Sequence, residues 1–394
     1  MDVQFRYDSN VQLVDRSQTG APFMRLIGHL HLATQSAQRR TDAETGQVVD
    51  SKIQFRLKAA AGYREYFSSD DKIVEQRAVE LEGGLAFKAN LSRHFSFQVT
   101  DDFARSVTPI NANEAAVGAP VTTRGVISRD VNRAAALLSL IPGGGRLTFD
   151  LGYALGLDVY EEDFLTKKNL LKHEISFLGK WRLLPKTAFF LQVSQEFQDY
   201  YNGDGSQQFV SGRPFRGYAG LSGLLTPRLS VLAKVGYGNG LFDTQPTHAS
   251  QANFNSVLAK LEFGYQFTPT AQARVGYERA FDASIFGNYH ADHHIYFGYD
   301  HAFISRFLLN LDLDYRRRTH QGTANESAAL PDSVALDLLT VAVGLDWQIR
   351  EWVYIGVGYD VSFRNVQDSV TTIPNFTLQN YIGNQFYFRL GVSY

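Results

Sequence analysis

The stretch that decides the fold is residues 386–394, which read Phe-Tyr-Phe-Arg-Leu-Gly-Val-Ser-Tyr. Its apolar residues occupy alternate positions: Phe386, Phe388, Leu390, Val392 and Tyr394. The positions between them are polar or small: Tyr387, Arg389, Gly391 and Ser393. Because successive side chains of a β-strand point to opposite faces, this alternation predicts a strand with one apolar face and one wet face.

The same alternation recurs along the whole chain. Residues 147–157, for example, place Leu147, Phe149 and Leu151 against Thr148 and Asp150. We predict about 18 antiparallel strands, with 16 as the alternative. Their predicted ranges are 3–11, 23–34, 53–67, 77–90, 95–105, 128–141, 147–160, 170–183, 187–200, 213–225, 229–241, 254–267, 271–282, 291–303, 307–318, 334–349, 353–364 and 378–394. The Ala-rich run 133–138 could also begin a helix, and only its neighbours favour a strand there.

Composition excludes several other classes of protein. The 394 residues include 20 Tyr, 29 Phe and 33 Gly, a composition that favours β-structure over helical bundles. Cys is absent, so the chain has neither disulfides nor thiolate sites. The formal net charge of −2 argues against a nucleic-acid binder. No run of 18 apolar residues exists, which excludes a helical membrane span.

Strand and loop lengths point to a membrane barrel instead of a soluble sandwich. Most predicted strands have 12 to 15 residues, whereas globular strands have about 5–6 and a tilted membrane-spanning strand needs about 9–11. Short turns also alternate with long polar loops, an asymmetry typical of outer-membrane barrels. We therefore predict one all-β domain over residues 1–394, a transmembrane up-and-down barrel in the bacterial outer membrane. A C-terminal strand of this pattern that closes on an aromatic residue resembles the strand that the barrel-assembly machinery recognises.

The connection over residues 35–51 and the start of the chain do not follow the pattern of the other segments. Residues 35–51 should lie on the short-turn side, yet this connection is long, so it is either a genuine long periplasmic loop or a slip of the predicted register. We favour the loop, which would be a docking point. The chain opens Met1-Asp2-Val3 without a basic or an apolar leader. Either the protein stays in the cytoplasm or a signal peptide has been removed, and we favour removal.

The polar face should line water, because a ring of about 18 strands is too wide for side chains to fill. We predict these lining residues: Arg56, Lys58, Glu80, Glu82, Lys88, Asp150, Asp158, Lys180, Lys234, Lys260, Glu262, Arg274, Glu278, Asp312, Asp314, Asp346, Asp360, Arg364 and Arg389. Mixed charge suits an uncharged or mixed polar solute. Alternatively, these charges simply pair across strands as ordinary lining. Aromatic residues near strand ends should form interfacial girdles: Trp181, Trp347, Trp352, Tyr160, Tyr200, Tyr315 and Tyr359.

Motifs for chemistry are sparse. His290, Asp292 and His294 share one face of a strand start and form the single candidate metal site, although solvated loop-end residues are the favoured interpretation. The chain contains no nucleophile elbow, His-Glu-x-x-His or phosphate-loop sequence. Spacing alone does not exclude a Ser/His pair inside the barrel, but nothing singles one out. We expect no catalytic residues, no bound metal and no cofactor.

A short motif adds a family resemblance. Tyr7-Asp8-Ser9-Asn10-Val11 resembles the Tyr-Asp-(Asp/Ser)-Asn-Val opening of a porin-like outer-membrane β-barrel family associated with exopolysaccharide secretion. This resemblance implies export of a polysaccharide chain together with a separate periplasmic export partner. The expected partners are therefore outer-membrane lipid, the barrel-assembly machinery and that export protein, without nucleic acid.

Three functions remain open from the sequence. The first is a pore that exports a polar polymer, and the second is a passive diffusion porin for small sugars or other polar solutes. The third is a structural or adhesive barrel whose pore is incidental. Residues 108–127 form the longest candidate for a loop that narrows the pore, which would favour the porin.

Overall fold

The fold is a single closed antiparallel barrel. The computed structural model describes residues 1–11, 19–34, 40–41, 48–49, 52–74, 76–109, 126–142, 145–201, 211–242, 253–284, 288–304, 306–321, 333–367 and 380–392. The barrel strands are β1 (Asp2–Asp8), β2 (Ala21–Ala33), β3 (Ile53–Tyr66), β4 (Ala78–Ser92), β5 (Phe95–Pro109), β6 (Val126–Leu140), β7 (Leu147–Tyr160), β8 (Leu170–Leu184), β9 (Thr187–Tyr200), β10 (Phe215–Leu224), β11 (Leu229–Asn239), β12 (Asn255–Thr268), β13 (Ala271–Ala283), β14 (Tyr289–Phe303), β15 (Phe307–Gln321), β16 (Ser333–Arg350), β17 (Val353–Val366) and β18 (Tyr381–Val392). Each strand pairs with its neighbour in sequence, and β1 pairs with β18 to close the wall.

The predicted fold class is confirmed, including the count of 18 strands. Every predicted range overlaps one barrel strand. The Ala-rich run 133–138 lies inside β6, so the helical alternative is wrong. The reason is tertiary: β6 pairs with β5 from Phe95↔Leu140 to Pro109↔Val126 and also with β7. Both neighbours would otherwise expose unpaired backbone N–H and C=O groups at an open sheet edge.

The two ends of the barrel differ. Two-residue turns follow β4, β8, β12 and β16 at the same end as Met1 and Val392, whose backbone groups exchange hydrogen bonds of 2.8 and 2.9 Å. We call this the short-turn end and the opposite one the long-loop end. The connection between β2 and β3 also lies at the short-turn end, because these strands pair from Phe23↔Tyr66 to Ala33↔Arg56 without a shift. The predicted register is therefore confirmed here, and Arg40–Thr41 pairs with Val48–Val49 inside this connection.

Helical structure is minor. The described residues contain a one-turn α-helix, Asp71–Val74, and a 3-10 helix, Asp163–Lys168, both in connections at the long-loop end. Neither of them approaches the length or the apolar content that a bilayer-spanning helix needs.

The outer face of the wall is apolar and open to the surroundings. On β18, Phe386 is 55% exposed and Leu390 is 39% exposed, and Phe5 of β1 lies beside Phe388 in register. The buried apolar clusters lie at the long-loop end; one of them joins Phe23, Tyr66 and Ile73. The main apolar surface of this chain therefore has no protein partner within the described residues. Lipid would cover it at a gain of about 25 cal/mol per Å².

The predicted aromatic girdle is confirmed in part. Trp181, Trp347 and Trp352 are 43–56% exposed on the outside near the short-turn end. Tyr160 and Tyr200 were wrongly predicted to join the girdle, because their positions alternate with the outward residues. Tyr160 is 2% exposed, and the Tyr200 hydroxyl donates to the backbone oxygen of Ser284 inside the barrel.

The motif Tyr7-Asp8-Ser9-Asn10-Val11 stabilises the β1–β18 seam, which is the contact between the first and last strands that closes the barrel. The Asn10 backbone N–H donates to the Asp8 carboxylate at 2.9 Å, and the Asn10 side-chain amide donates to the Ile382 carbonyl of β18 at 3.1 Å. Ser9 likewise bonds the backbone N–H of Asn384 at 3.0 Å. These contacts tie the first strand to the last, so the motif has a structural role independent of any substrate.

Asn10→Ala is expected to weaken this seam. The change removes the fully buried Asn10 amide, which donates to the Ile382 carbonyl, and loss of such a hydrogen bond costs about 0.5–1.5 kcal/mol. The temperature at which the SDS-resistant folded form unfolds on a gel should fall. Asn380→Ala is the matched control, since Asn380 is exposed and water can replace its bond to the Val366 N–H. An equal fall for both variants would contradict the assigned role.

Candidate functional site

The inner face of the barrel carries the polar half of most strands. In β3, Arg56 and Lys58 alternate with outward Phe55 and Leu57. The same register places the remaining predicted lining residues inside: Glu80, Glu82, Lys88, Asp150, Asp158, Lys180, Lys234, Lys260, Glu262, Arg274, Glu278, Asp312, Asp314, Asp346, Asp360, Arg364 and Arg389. They lie around one enclosed space.

Many of these charges neutralise one another across neighbouring strands. Lys260 Nζ lies 2.9 Å from the Glu278 carboxylate, and Lys180 Nζ lies 3.5 Å from that of Asp150. Arg129–Asp158 and Arg64–Glu80 also join adjacent strands. Arg389–Asp346, Arg6–Asp360 and Arg25–Glu80 join strands two apart, and Arg316–Asp314 lies within β15. The alternative of ordinary pairing across strands therefore holds for these residues. Water-exposed pairs of this kind contribute about 0–1 kcal/mol each.

Three predicted cations form a different group near the short-turn end. Arg56, Lys58 and Lys88 lie on the inner faces of β3 and β4. None of the three has a carboxylate within ion-pair distance among the residues that the structure describes. Arg56 and Lys58 are exposed to the interior. We call Arg56, Lys58 and Lys88 the basic patch; none of its three cations takes part in an ion pair among the described residues.

At the long-loop end, the interior is crossed by a second network. Lys172 of β8 lies 3.3 Å from Asp282 of β13 and 4.0 Å from Glu196 of β9. Glu196 also accepts a 2.9 Å hydrogen bond from Arg216 of β10.

The end of β13 supplies backbone acceptors to the same network. Arg216 donates to the Phe281 carbonyl at 3.2 Å, and Tyr200 donates to the Ser284 carbonyl at 3.3 Å. Phe281 packs against Phe254 with ring centroids 4.1 Å apart. We call the contacts of Lys172, Arg216 and Tyr200 with residues 281–284 the lumenal bridge. The lumenal bridge joins strands that lie three to five positions apart around the ring. It thereby reduces the open cross-section of the interior.

A cavity of about 410 Å³ adjoins the lumenal bridge. Its lining combines cations with anions, among them Arg129, Lys172, Arg318, Asp158 and Asp292. Lys172, Arg216 and Asp282 were not singled out from the sequence. Their alternating positions do indicate the inner face, but contact between strands so far apart cannot be read from the pattern of either strand.

Tyrosine rings lie flat against the inner wall. Tyr387 covers Gly358 of the neighbouring strand, and Tyr354 covers Gly391 in the same way. Tyr296 over Gly276 repeats the arrangement. A Cβ at any of these glycines would collide with the ring, so glycine is what lets each ring lie down. The result is a lining that offers aromatic faces without filling the interior.

The candidate metal residues do not converge. Asp292 accepts two 2.8 Å hydrogen bonds from Arg318, which occupies both carboxylate oxygens. His294 bonds Asp314 on the neighbouring strand, and His290 Nε2 is 3.8 Å from Asp292. Within the described residues, no cluster of three ligand-type side chains has a metal-binding arrangement.

Lys168 ends the 3-10 helix in the connection between β7 and β8, at the long-loop end, and is 7% exposed. Burial lowers the pKa of its ammonium group from 10.5 to about 7. The folded state therefore binds fewer protons than the unfolded state between these values, and this connection should gain stability as pH rises through that window. Limited proteolysis of this connection should accordingly be slower near pH 10.5 than near pH 7.

Lys168→Met should remove most of this pH dependence, because the buried group no longer titrates. Lys186→Met is the control, since Lys186 is exposed in the turn after β8. The assignment would be contradicted if cleavage of the Lys168→Met protein kept the wild-type pH dependence.

A closed wall of 18 strands, apolar outside and polar inside, defines a transmembrane β-barrel of the bacterial outer membrane. No family model matches the chain, and no curated protein matches it.

Solved structures of other outer-membrane proteins resemble it in fold. The FrpB iron transporter from Neisseria meningitidis superposes with a TM-score of 0.48 at 8% identity, over 93% of this chain and 62% of that one. The ferric citrate transporter FecA gives 0.46 at 10% identity, over 98% and 63%. The ferric yersiniabactin uptake receptor FyuA from Yersinia pestis gives 0.43 at 10% identity, over 100% and 66%. This chain thus spans less than two thirds of the length of each of these proteins.

Proposed function

We propose that this protein is a water-filled outer-membrane pore that passes a polar polymer, an exopolysaccharide, out of the cell. The observation that carries the proposal is the inner face, where charges of both signs pair with each other and tyrosine rings lie flat on the wall. A ring of 18 strands leaves an aqueous space, whereas about eight strands would be filled by side chains. We propose no catalytic role.

The lining chemistry matches a chain of sugars better than a simple ion. Sugar hydroxyls both donate and accept hydrogen bonds, so they can exchange partners along a wall that alternates guanidinium, ammonium and carboxylate groups. The flat rings of Tyr354, Tyr387 and Tyr296 add apolar surface for the C–H faces of sugar rings. Many weak, similar contacts favour passage over tight retention.

The proposal includes three partners. Lipid covers the apolar outer face, and the barrel-assembly machinery would bind β18, the alternating C-terminal strand. A periplasmic export protein would dock at the connection between β2 and β3, which is the long connection at the short-turn end. In outer-membrane barrels the short turns face the periplasm.

Deleting the gene and measuring surface polysaccharide tests the proposal. Loss of polymer from the surface, with accumulation inside the cell envelope, is the expected result. The complementing plasmid should carry the wild-type protein in parallel with a Lys172→Ala/Arg216→Ala variant, which opens the lumenal bridge and should still export. Normal surface polymer in the deletion strain would refute the export function.

A passive diffusion porin is the second candidate, and the lumenal bridge favours it. A wall-to-wall contact through Lys172 and Asp282 reduces the opening at the long-loop end, as a sieve for small solutes requires. Liposome swelling with sugars of increasing size separates the two functions. Uptake that stops at disaccharides, together with unchanged surface polymer in the deletion strain, would establish the porin.

A further inference from the structure

The outer wall carries a polar pair among apolar neighbours on β4, β5 and β6. Asp101 of β5 lies opposite Leu85 of β4 and Ala134 of β6, on the outer face. Asn132 of β6 lies opposite Phe103, on the same face. The Asn132 amide donates to the Asp101 carboxylate at 2.9 Å, so the two side chains form one hydrogen-bonded unit facing outward.

The polar pair lies at membrane depth. Asp101 is the sixth residue after Phe95, the first residue of β5. With a rise of ~3.4 Å per residue and a tilt of ~40°, its position is about 15 Å above the base of the strand. The apolar band of such barrels is ~25 Å tall, so lipid would surround a carboxylate near its middle. Charged side chains facing lipid there are strongly disfavoured.

A second polar layer continues toward the long-loop end. Arg105, also outward, forms a 2.7 Å ion pair with Glu161 and lies opposite Asp130 in register. One Asp130 carboxylate oxygen and the Arg105 Nε are shielded from water, yet neither has a hydrogen-bond partner within the described part of the chain. Arg105, Glu161 and Asp130 thus form a mixed-charge layer on the outer face next to the polar pair.

Several residues around the polar pair have small side chains or none. Ala134 and Ala136 of β6 and Gly83 of β4 face outward beside Asp101 and Phe103. Side chains this small let a second protein wall approach closely in a membrane, where polar groups hold the contact together. By contrast, the opposite side of the barrel presents bulky residues such as Leu311 and Leu313 of β15.

We propose that Asp101, Asn132, Asp130, Arg105 and Ala134, the β5–β6 patch, form the contact through which two copies of this chain associate side by side in the membrane. A two-fold axis along the membrane normal keeps every residue at its own depth. The carboxylate of Asp101 in one copy therefore meets the amide of Asn132 in the other, at the same height. The upper layer holds both charge signs, Arg105 against Asp130, which makes it self-complementary as well.

The absence of cysteine allows a clean cross-linking test. Ala134→Cys is introduced into the full chain in intact outer membranes and treated with a short bismaleimide. A covalent dimer at twice the chain mass is expected in most of the protein. Leu313→Cys is the matched control, because it faces outward on β15, nine strands away around the ring. It should give at least tenfold less dimer.

Asp101→Ala combined with Asn132→Ala should reduce the Ala134→Cys cross-link at least tenfold. Removing outward polar groups does not threaten the barrel, and SDS-resistant folding on an unheated gel verifies this. Equal cross-linking of the two cysteines, no effect of the double substitution, or a product whose added mass is not that of this chain would overturn the proposal. The last outcome would assign the β5–β6 patch to a different partner.

Discussion

Replacing Arg56, Lys58 and Lys88 by glutamate is expected to shift the pore strongly toward cations. In planar bilayers under a salt gradient, the reversal potential should move by tens of millivolts in the cation-selective direction. Three positive charges become three negative ones, so the local change is six elementary charges at one mouth of the pore.

The expected size follows from the absence of close counter-charges. The other lining cations that have carboxylate partners, such as Lys260 with Glu278, contribute little net field to a passing ion. The basic patch has no such partner among the described residues, so its field reaches the solution over about 8–10 Å at physiological salt. The shift should therefore grow as the salt is diluted.

The control is a swap inside an existing pair, Lys180→Asp together with Asp150→Lys. It reverses two side-chain charges within the lumen but conserves their sum and their pairing. Its reversal potential should stay at the wild-type value. If the triple glutamate variant also stayed there, the basic patch would not line the conducting path.

Replacing both Lys172 and Arg216 by alanine is expected to raise the single-channel conductance about twofold, since a pore conducts according to its narrowest part. The two side chains hold residues 281–284 against β8 and β10. Without them, Asp282 loses its ion pair with Lys172, and of the lumenal bridge only the Tyr200 hydrogen bond still holds the end of β13. Larger sugars should then enter in liposome swelling assays.

Lys180→Ala with Lys260→Ala serves as the control for charge. This variant also removes two lumenal cations, but each belongs to a pair between adjacent strands and joins nothing across the interior. Its conductance should change much less. A similar rise in both variants would show that charge, and not the lumenal bridge, limits the current.

The fold was predictable because one local rule repeats in every strand. Phe386, Phe388 and Leu390 show it at the C-terminus, and 18 such segments leave few architectures open. The alternation of side chains with a period of two residues also predicted which residues face the interior. Where the rule was not applied, as at Tyr160 and Tyr200, the girdle prediction was wrong, although both residues are in step with inward Asp158 and Gln198.

The bridging contacts were not predictable in the same way. Lys172 and Asp282 are 110 residues apart and belong to strands that do not pair. Their approach does not follow from strand pairing, because the end of β13 reaches Lys172 and Arg216 across the interior. Nothing in the local pattern of either strand encodes that contact.

The sequence by itself determined the architecture, the two faces of the wall and the identity of the residues on each, since these follow from side-chain alternation and the chemistry of water and lipid. Only the tertiary structure decided which charges neutralise each other, where the basic patch is left unpaired, how the interior is narrowed, and that Asp101 and Asn132 meet on the lipid side. Those properties depend on register and curvature between strands, which arise when the whole ring closes.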